Sequence, residues 1–295
     1  MALHKHAIQL SDRGMRVIRF PLTRLFIAIS ILILSTTIAY LTSGGLIRLV
    51  GAEPLKYFND AIQVIFICFF SILFYWIYVA LFEGRPLSEL SVKSLIPQLG
   101  LGLLLGLIFI SVIILVISFF DGYKVVGYNK IGVLIPILFM AVQAGIFEEI
   151  LTRGALFRIV EDGLGTWWSI LISALVFGFL HIWNPNATLF SSLSIAMTAG
   201  VILALFYVLT RKLWVPIGIH IAWNFTLGGI YGAAVSGGDA QGLIISDMNG
   251  SDLLTGGEFG PEASIVTVIF FVLLGIYLSW RVIIKGAVKK PIWKH

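Results

Sequence analysis

Between Gly163 and Thr210 the chain carries no Asp, Glu, Lys or Arg. A helix crosses a bilayer core with roughly 20 apolar residues. The stretch is too long for one span, and Trp183-Asn184-Pro185-Asn186 reads as the turn between two. The same logic extends along the chain. Apolar windows fall at 22–43, 60–83, 95–120, 131–157, 166–183, 188–210, 213–234 and 263–283, and all but the pair 166–183 and 188–210 are separated by charges. This predicts an all-α, polytopic transmembrane helical bundle of about eight spans. Of the 295 residues, 59% are hydrophobic and 12% charged, against about 25% charged in soluble domains. Little is left for a soluble domain. The formal charge of +5 comes from bases flanking spans, so a lipid bilayer is the expected partner and nucleic acid is not.

The charges also orient the bundle, because cytoplasmic loops are enriched in Lys and Arg. Lys5, Arg13, Arg16, Arg19 and Arg24 precede the first span. Arg85, Lys93, Arg153, Arg158, Arg211, Lys212, Arg281, Lys285, Lys289, Lys290 and Lys294 fall on that side, whereas Arg48, Lys56, Lys124 and Lys130 fall on the other. The loop from Ser236 to Glu262 has acids and no base, as expected outside. Both termini are thus expected in the cytoplasm, with the first span retained as a helix. The expected divisions are a basic N-terminus at 1–21, N-terminal transmembrane helices at 22–130, a core at 131–235, and at 236–295 an extracytoplasmic loop, the last helix and a basic tail. Trp167 and Trp168 read as interface anchors. The G-x-x-x-G spacings Gly102–Gly106 and Gly228–Gly232 are weak signals for dimers, and the sequence specifies no oligomeric state. The single Cys68 permits neither an intramolecular disulfide nor a cysteine metal cluster.

Five polar residues interrupt the apolar windows of the core: Glu148, Glu149, His181, His220 and Asn224. Ionisable groups at membrane depth cost about 2.5–3.5 kcal/mol each when charged. A chain that keeps several is expected to use them together. Glu149 and Arg153 are four apart and share a helical face, as do His220 and Asn224. The bland alternatives are an ion pair at a helix end and hydrogen-bonding glue between helices. Taken together, the residues suit water activation: a desolvated glutamate as base, a histidine sharing the water, and a His/Asn pair facing an oxyanion. There is no G-x-S-x-G elbow and no H-E-x-x-H zinc helix, and Cys68 lies far along the chain from these groups.

The order Glu148-Glu149-x-x-x-Arg153, Phe177-x-x-x-His181, His220-x-x-x-Asn224 on separate spans resembles the CPBP family of intramembrane proteases. That family includes type II CAAX prenyl endopeptidases and bacteriocin-processing or immunity proteins. Arg153-Gly154 and the run Trp214-Val215-Pro216-Ile217-Gly218-Ile219-His220 fit as well, and the likeness covers about 134–231. The resemblance implies that 131–235 is the catalytic core and that Glu148 is the base. It further implies that His181 holds the water, His220 and Asn224 form the oxyanion site, and Glu149 and Arg153 orient the others. It points to a multi-pass protein of a bacterial plasma membrane acting on a membrane-associated peptide or protein, prenylated or bacteriocin-like. Members have been described as metalloproteases and as metal-free glutamate proteases. Glu148, His181 and His220 are suitable zinc ligands by type, and both modes stay open. The same polar groups would also suit an ion- or proton-coupled transporter, or a non-catalytic scaffold or immunity protein. With Glu148 placed toward the inner end of the fourth span, the site is expected to open to the cytoplasm or laterally to lipid on that side.

Overall fold

The computed structural model of the chain describes residues 20–50, 57–239 and 241–292. Lys5, Arg13, Arg16, Arg19, Lys56 and Lys294, which enter the orientation argument, lie outside the described residues. Among the described residues, seven helices are long and apolar enough to cross a membrane. They are α1 (Pro21–Leu49), α2 (Phe58–Glu83), α3 (Val92–Phe119), α4 (Ile131–Leu164), α5 (Thr166–Trp183), α6 (Leu189–Thr210) and α8 (Ile265–Ile284). The remaining expected span, 213–234, forms the shorter α7: an α-helix at Trp214–Asn224 running into the π-helical turn Phe225–Ile230. Large apolar side chains such as Phe26, Leu41, Ile96, Leu115 and Ile276 face outward. A surface of that kind is solvated by lipid, and the chain is an integral membrane protein.

Every residue from Trp214 to Asn224 is buried. A helix buried all round belongs at the centre of a bundle, and α7 is packed by α3, α4 and α6. Glycines allow the approach. A Cβ at Gly102 or Gly106 of α3 would collide with the α7 backbone between Val215 and Ile219, and one at Gly145 of α4 with Ile221. Small residues let membrane helices touch backbone to backbone. The Gly102–Gly106 spacing therefore faces α7 within the chain.

The fourth span was expected to end near 157, but α4 continues to Leu164 through a π-helical segment, Ile150–Phe157. The charges of its last turns are all matched. Arg158 pairs with Glu83 and, at 3.4 Å, with Glu89. Glu161 meets Arg211 at 2.5 Å and Lys289 at 3.2 Å, and Asp162 meets Arg24 at 3.0 Å. These pairs gather at one end of the bundle, together with Arg24–Glu83 at 2.6 Å and Arg85–Glu89 at 2.6 Å. The opposite end carries a short antiparallel ribbon that the sequence did not announce: β1 (Lys124–Tyr128) against β2 (Ile244–Asp247). There Asn184 Nδ2 donates to the Ser236 carbonyl at 3.0 Å and Asn186 Nδ2 to that of Gly237 at 3.2 Å. These bonds fasten the loop after α7 onto the α5–α6 turn.

Candidate active site

Glu148 lies near the middle of α4, roughly 25 Å from either end at 1.5 Å per residue. It is not at a helix end, and neither is Arg153. Glu149 and Arg153 are both completely buried, and their ion pair is 2.7 Å long. Arg153 also donates to Thr152 Oγ1 at 3.0 Å and to the carbonyls of Ala199 (3.2 Å) and Gly200 (3.0 Å). Those carbonyls belong to a second π-helical segment, Ala196–Gly200 of α6. π-Segments inside α-helices recur at functional sites. The guanidinium lies 4.5 Å from the centre of the Phe177 ring, a cation–π distance.

The Glu149–Arg153 pair reaches the rest of the site through His220. Glu149 Oε1 also meets His220 Nδ1 at 3.0 Å. An ionised carboxylate only accepts, so Nδ1 carries the proton. The other ring nitrogen, Nε2, lies 3.9 Å from Glu148 Oε2. His181 is fixed differently: its Nδ1 is 2.8 Å from the Phe177 carbonyl. A carbonyl also only accepts, so Nδ1–H donates, and in the neutral ring Nε2 is left as an acceptor. The Phe177 ring sits between the two imidazoles, 4.9 Å from His181 and 5.9 Å from His220. Asn224 follows His220 by one turn.

Glu148, His181, His220 and Asn224 line one cavity of about 460 Å³. Glu149 was expected there too. It sits behind His220 instead, because consecutive residues of a helix point about 100° apart and Glu149 falls on the face that meets Arg153 and His220. The cavity wall includes Ile195, Ile202, Leu203 and Phe271. Sequence reasoning missed Gln143, Asn184, Ser236, Asp239 and Glu262, which also line it. Glu262 is buried; its Oε1 accepts from Trp223 Nε1 at 2.8 Å, and its Oε2 from the backbone N–H and, at 3.0 Å, the Oγ of Ser236. One signal was available. Trp223 carries an indole N–H inside an apolar helix and needs a partner. The acids of the 236–262 loop, read only as topology markers, supply it.

The cavity lining includes Asn184, Val235, Ser236, Gly238, Asp239 and Glu262. These residues belong to the end that carries the β-ribbon. Because α4 runs on to Leu164, the acids lie deeper than a helix-end position allows, and Arg153 lies between them and the basic end. His181 stands at the ribbon-side end of α5 and reaches the same cavity.

Glu148, His181 and His220 were weighed as zinc ligands. Among the described residues, no three His, Cys, Asp or Glu side chains gather closely enough to hold an ion. As placed, the trio is not gathered into a ligand set, and no step below is routed through a metal.

Fold and site together define a polytopic membrane protein with a carboxylate–imidazole–amide cavity enclosed by its helices. Residues 130–226, the segment carrying α4 to most of α7, match the family model described as Rce1-like, type II CAAX prenyl endopeptidase Rce1-like. The match supports, at the level of that family, the CPBP resemblance that the motifs carry. No curated protein and no solved structure matches the chain.

Proposed function

We propose that the chain is an intramembrane endopeptidase of glutamate type. The observation that carries this reading is that Glu148, His181, His220 and Asn224, from three helices, line one cavity deep in the bundle. In this reading a water sits between the Glu148 carboxylate and His181 Nε2. Glu148 takes a proton as the water oxygen attacks the scissile carbonyl. Negative charge moves to the carbonyl oxygen, where the Asn224 amide and a protonated His220 Nε2 donate to it. The C–N bond then breaks, and Glu148 returns the proton to the departing amine. Glu149 fixes the His220 ring and supports its imidazolium form, while Arg153 compensates the charge of Glu149. Glu149 and Arg153 are thus positioning residues. The substrate in this reading is an extended peptide segment of a membrane-associated polypeptide, since helical backbone keeps its carbonyls hydrogen-bonded and shielded from attack.

The test is cleavage of a fluorogenic membrane-anchored peptide by purified protein in lipid vesicles. Glu148→Gln keeps the shape and cannot take the proton. A loss of about 10²–10⁴-fold is expected for a general base, with unchanged extraction and elution of folded protein. Turnover like the wild type by this variant would remove Glu148 as the base.

A further inference from the structure

Resting on the peptidase reading, we propose that the site takes its substrate from the non-cytoplasmic side, as a segment of an exported or membrane-anchored polypeptide lying in the outer half of the bilayer. The two ends of the bundle differ in charge. One holds Arg24, Arg85, Lys93, Arg158, Arg211, Lys212, Arg281, Lys285, Lys289 and Lys290; the other holds Arg48, Lys124 and Lys130 among the described residues. Bases enriched at one end mark it as cytoplasmic.

The cytoplasmic end is shut below the site. The Arg153 side chain is completely buried there, tied to Glu149 and to the carbonyls of Ala199 and Gly200. Beneath it the Tyr75 hydroxyl lies 2.7 Å from the Gly154 carbonyl. The ion pairs Arg24–Glu83, Arg85–Glu89 and Arg211–Glu161 lace the loops together further down. The other end is open. Asp239 at the rim is exposed. Met140 of α4, also on the cavity, is 41% exposed, and the Glu148 side chain 32%. α5 packs against the π-helical segment of α4 rather than against its outer half. The flank between them gives an extended segment a sideways path from the outer leaflet to Glu148.

The test uses single-cysteine variants of the full chain with Cys68→Ser, in intact cells and then in permeabilised ones, with a membrane-impermeant maleimide. Asp239→Cys at the rim and Gln143→Cys inside the cavity are expected to label from outside the intact cell. Lys93→Cys and Lys285→Cys are expected to label only after permeabilisation. A bulky adduct at Asp239→Cys is expected to cut cleavage of the fluorogenic peptide at least tenfold, and an adduct at Lys93→Cys to leave it unchanged. Labelling of Gln143→Cys only from the Lys93 side, its protection from both sides, or undiminished cleavage with the rim blocked would each overturn the proposal. If the wild type cleaves no peptide, the peptidase reading falls separately. The side from which Gln143→Cys labels then still decides the access route.

Discussion

The two adjacent glutamates have opposite surroundings, and this separates their effects. Glu148 is partly open to the cavity, and His220 Nε2 lies 3.9 Å from its Oε2. Glu149 is sealed between Arg153 and His220. Removing one partner of a buried ion pair costs about 3–5 kcal/mol because the other charge is left uncompensated. Glu149→Ala is therefore expected to lower unfolding stability by about that amount in detergent, while Glu148→Gln leaves the melting temperature within a degree or two. A scanning-calorimetry or fluorescence melt checks both. Equal destabilisation by the two would contradict the assignment of Glu149 to a positioning role. Part of this contrast was legible in the sequence. The four-residue spacings put Glu149 with Arg153 and His220 with Asn224 on shared faces. What spacing could not say is that Glu148 and Glu149 look to different sides of one wall, since that depends on where α6 and α7 lie around α4.

At the level of elements, the apolar windows located the helices closely because length and hydropathy alone decide which segments can cross lipid. Two departures have physical causes that no single window contains. The continuation of α4 to Leu164 depends on partners for Arg158, Glu161 and Asp162 that come from α1, α2, the α6–α7 turn and the C-terminal tail. The shortness of α7 is tolerated because protein surrounds it on all sides. Its position rests on the glycines of α3, which sequence pattern flagged only as a spacing. Gly106 faces the Ile219 carbonyl and Ala222, on either side of His220 in the chain. Overpacking a close contact costs typically about 1–3 kcal/mol, and here the element that must yield carries His220 and Asn224. Gly106→Val is expected to lower stability in that range and to reduce cleavage at least tenfold. Gly44→Val on α1, where a side chain meets open space, is expected to do neither. Equal activity of the two variants in the vesicle assay would show that the α3–α7 contact does not set the site geometry.

Across the whole molecule, the basic end and the depth of the cavity are mechanically joined. The Glu89 carbonyl accepts the backbone N–H of Leu213 at 2.9 Å, just before α7 begins. The Glu89 side chain holds Arg85 at 2.6 Å and the Tyr75 hydroxyl at 2.6 Å, and Tyr75 in turn reaches Gly154 of α4. Glu89 thus ties the starting point of α7 to the π-segment behind Arg153. The sequence showed this residue only as one acid among basic flanks, because its partners are brought together by four separate loops and helices. Burial by itself would raise the Glu89 carboxyl, but hydrogen bonds from Arg85, the charges of Arg158 and Arg85, and the Tyr75 hydroxyl outweigh it and hold it at about 2. In the unfolded chain a glutamate titrates near about 4.3. The folded value is the lower one, so the unfolded state takes up the proton first. The stabilisation, a few kcal/mol at most, is complete above about pH 4.3 and fades as pH falls toward 2. Glu89→Gln lacks this contribution at every pH. The melting temperatures of wild type and variant in detergent are therefore expected to differ most at pH 6–7, to draw together between about pH 4 and pH 2, and to differ little below that. A gap that stays constant across this window would mean that the Glu89 carboxylate is not what clamps the basic end.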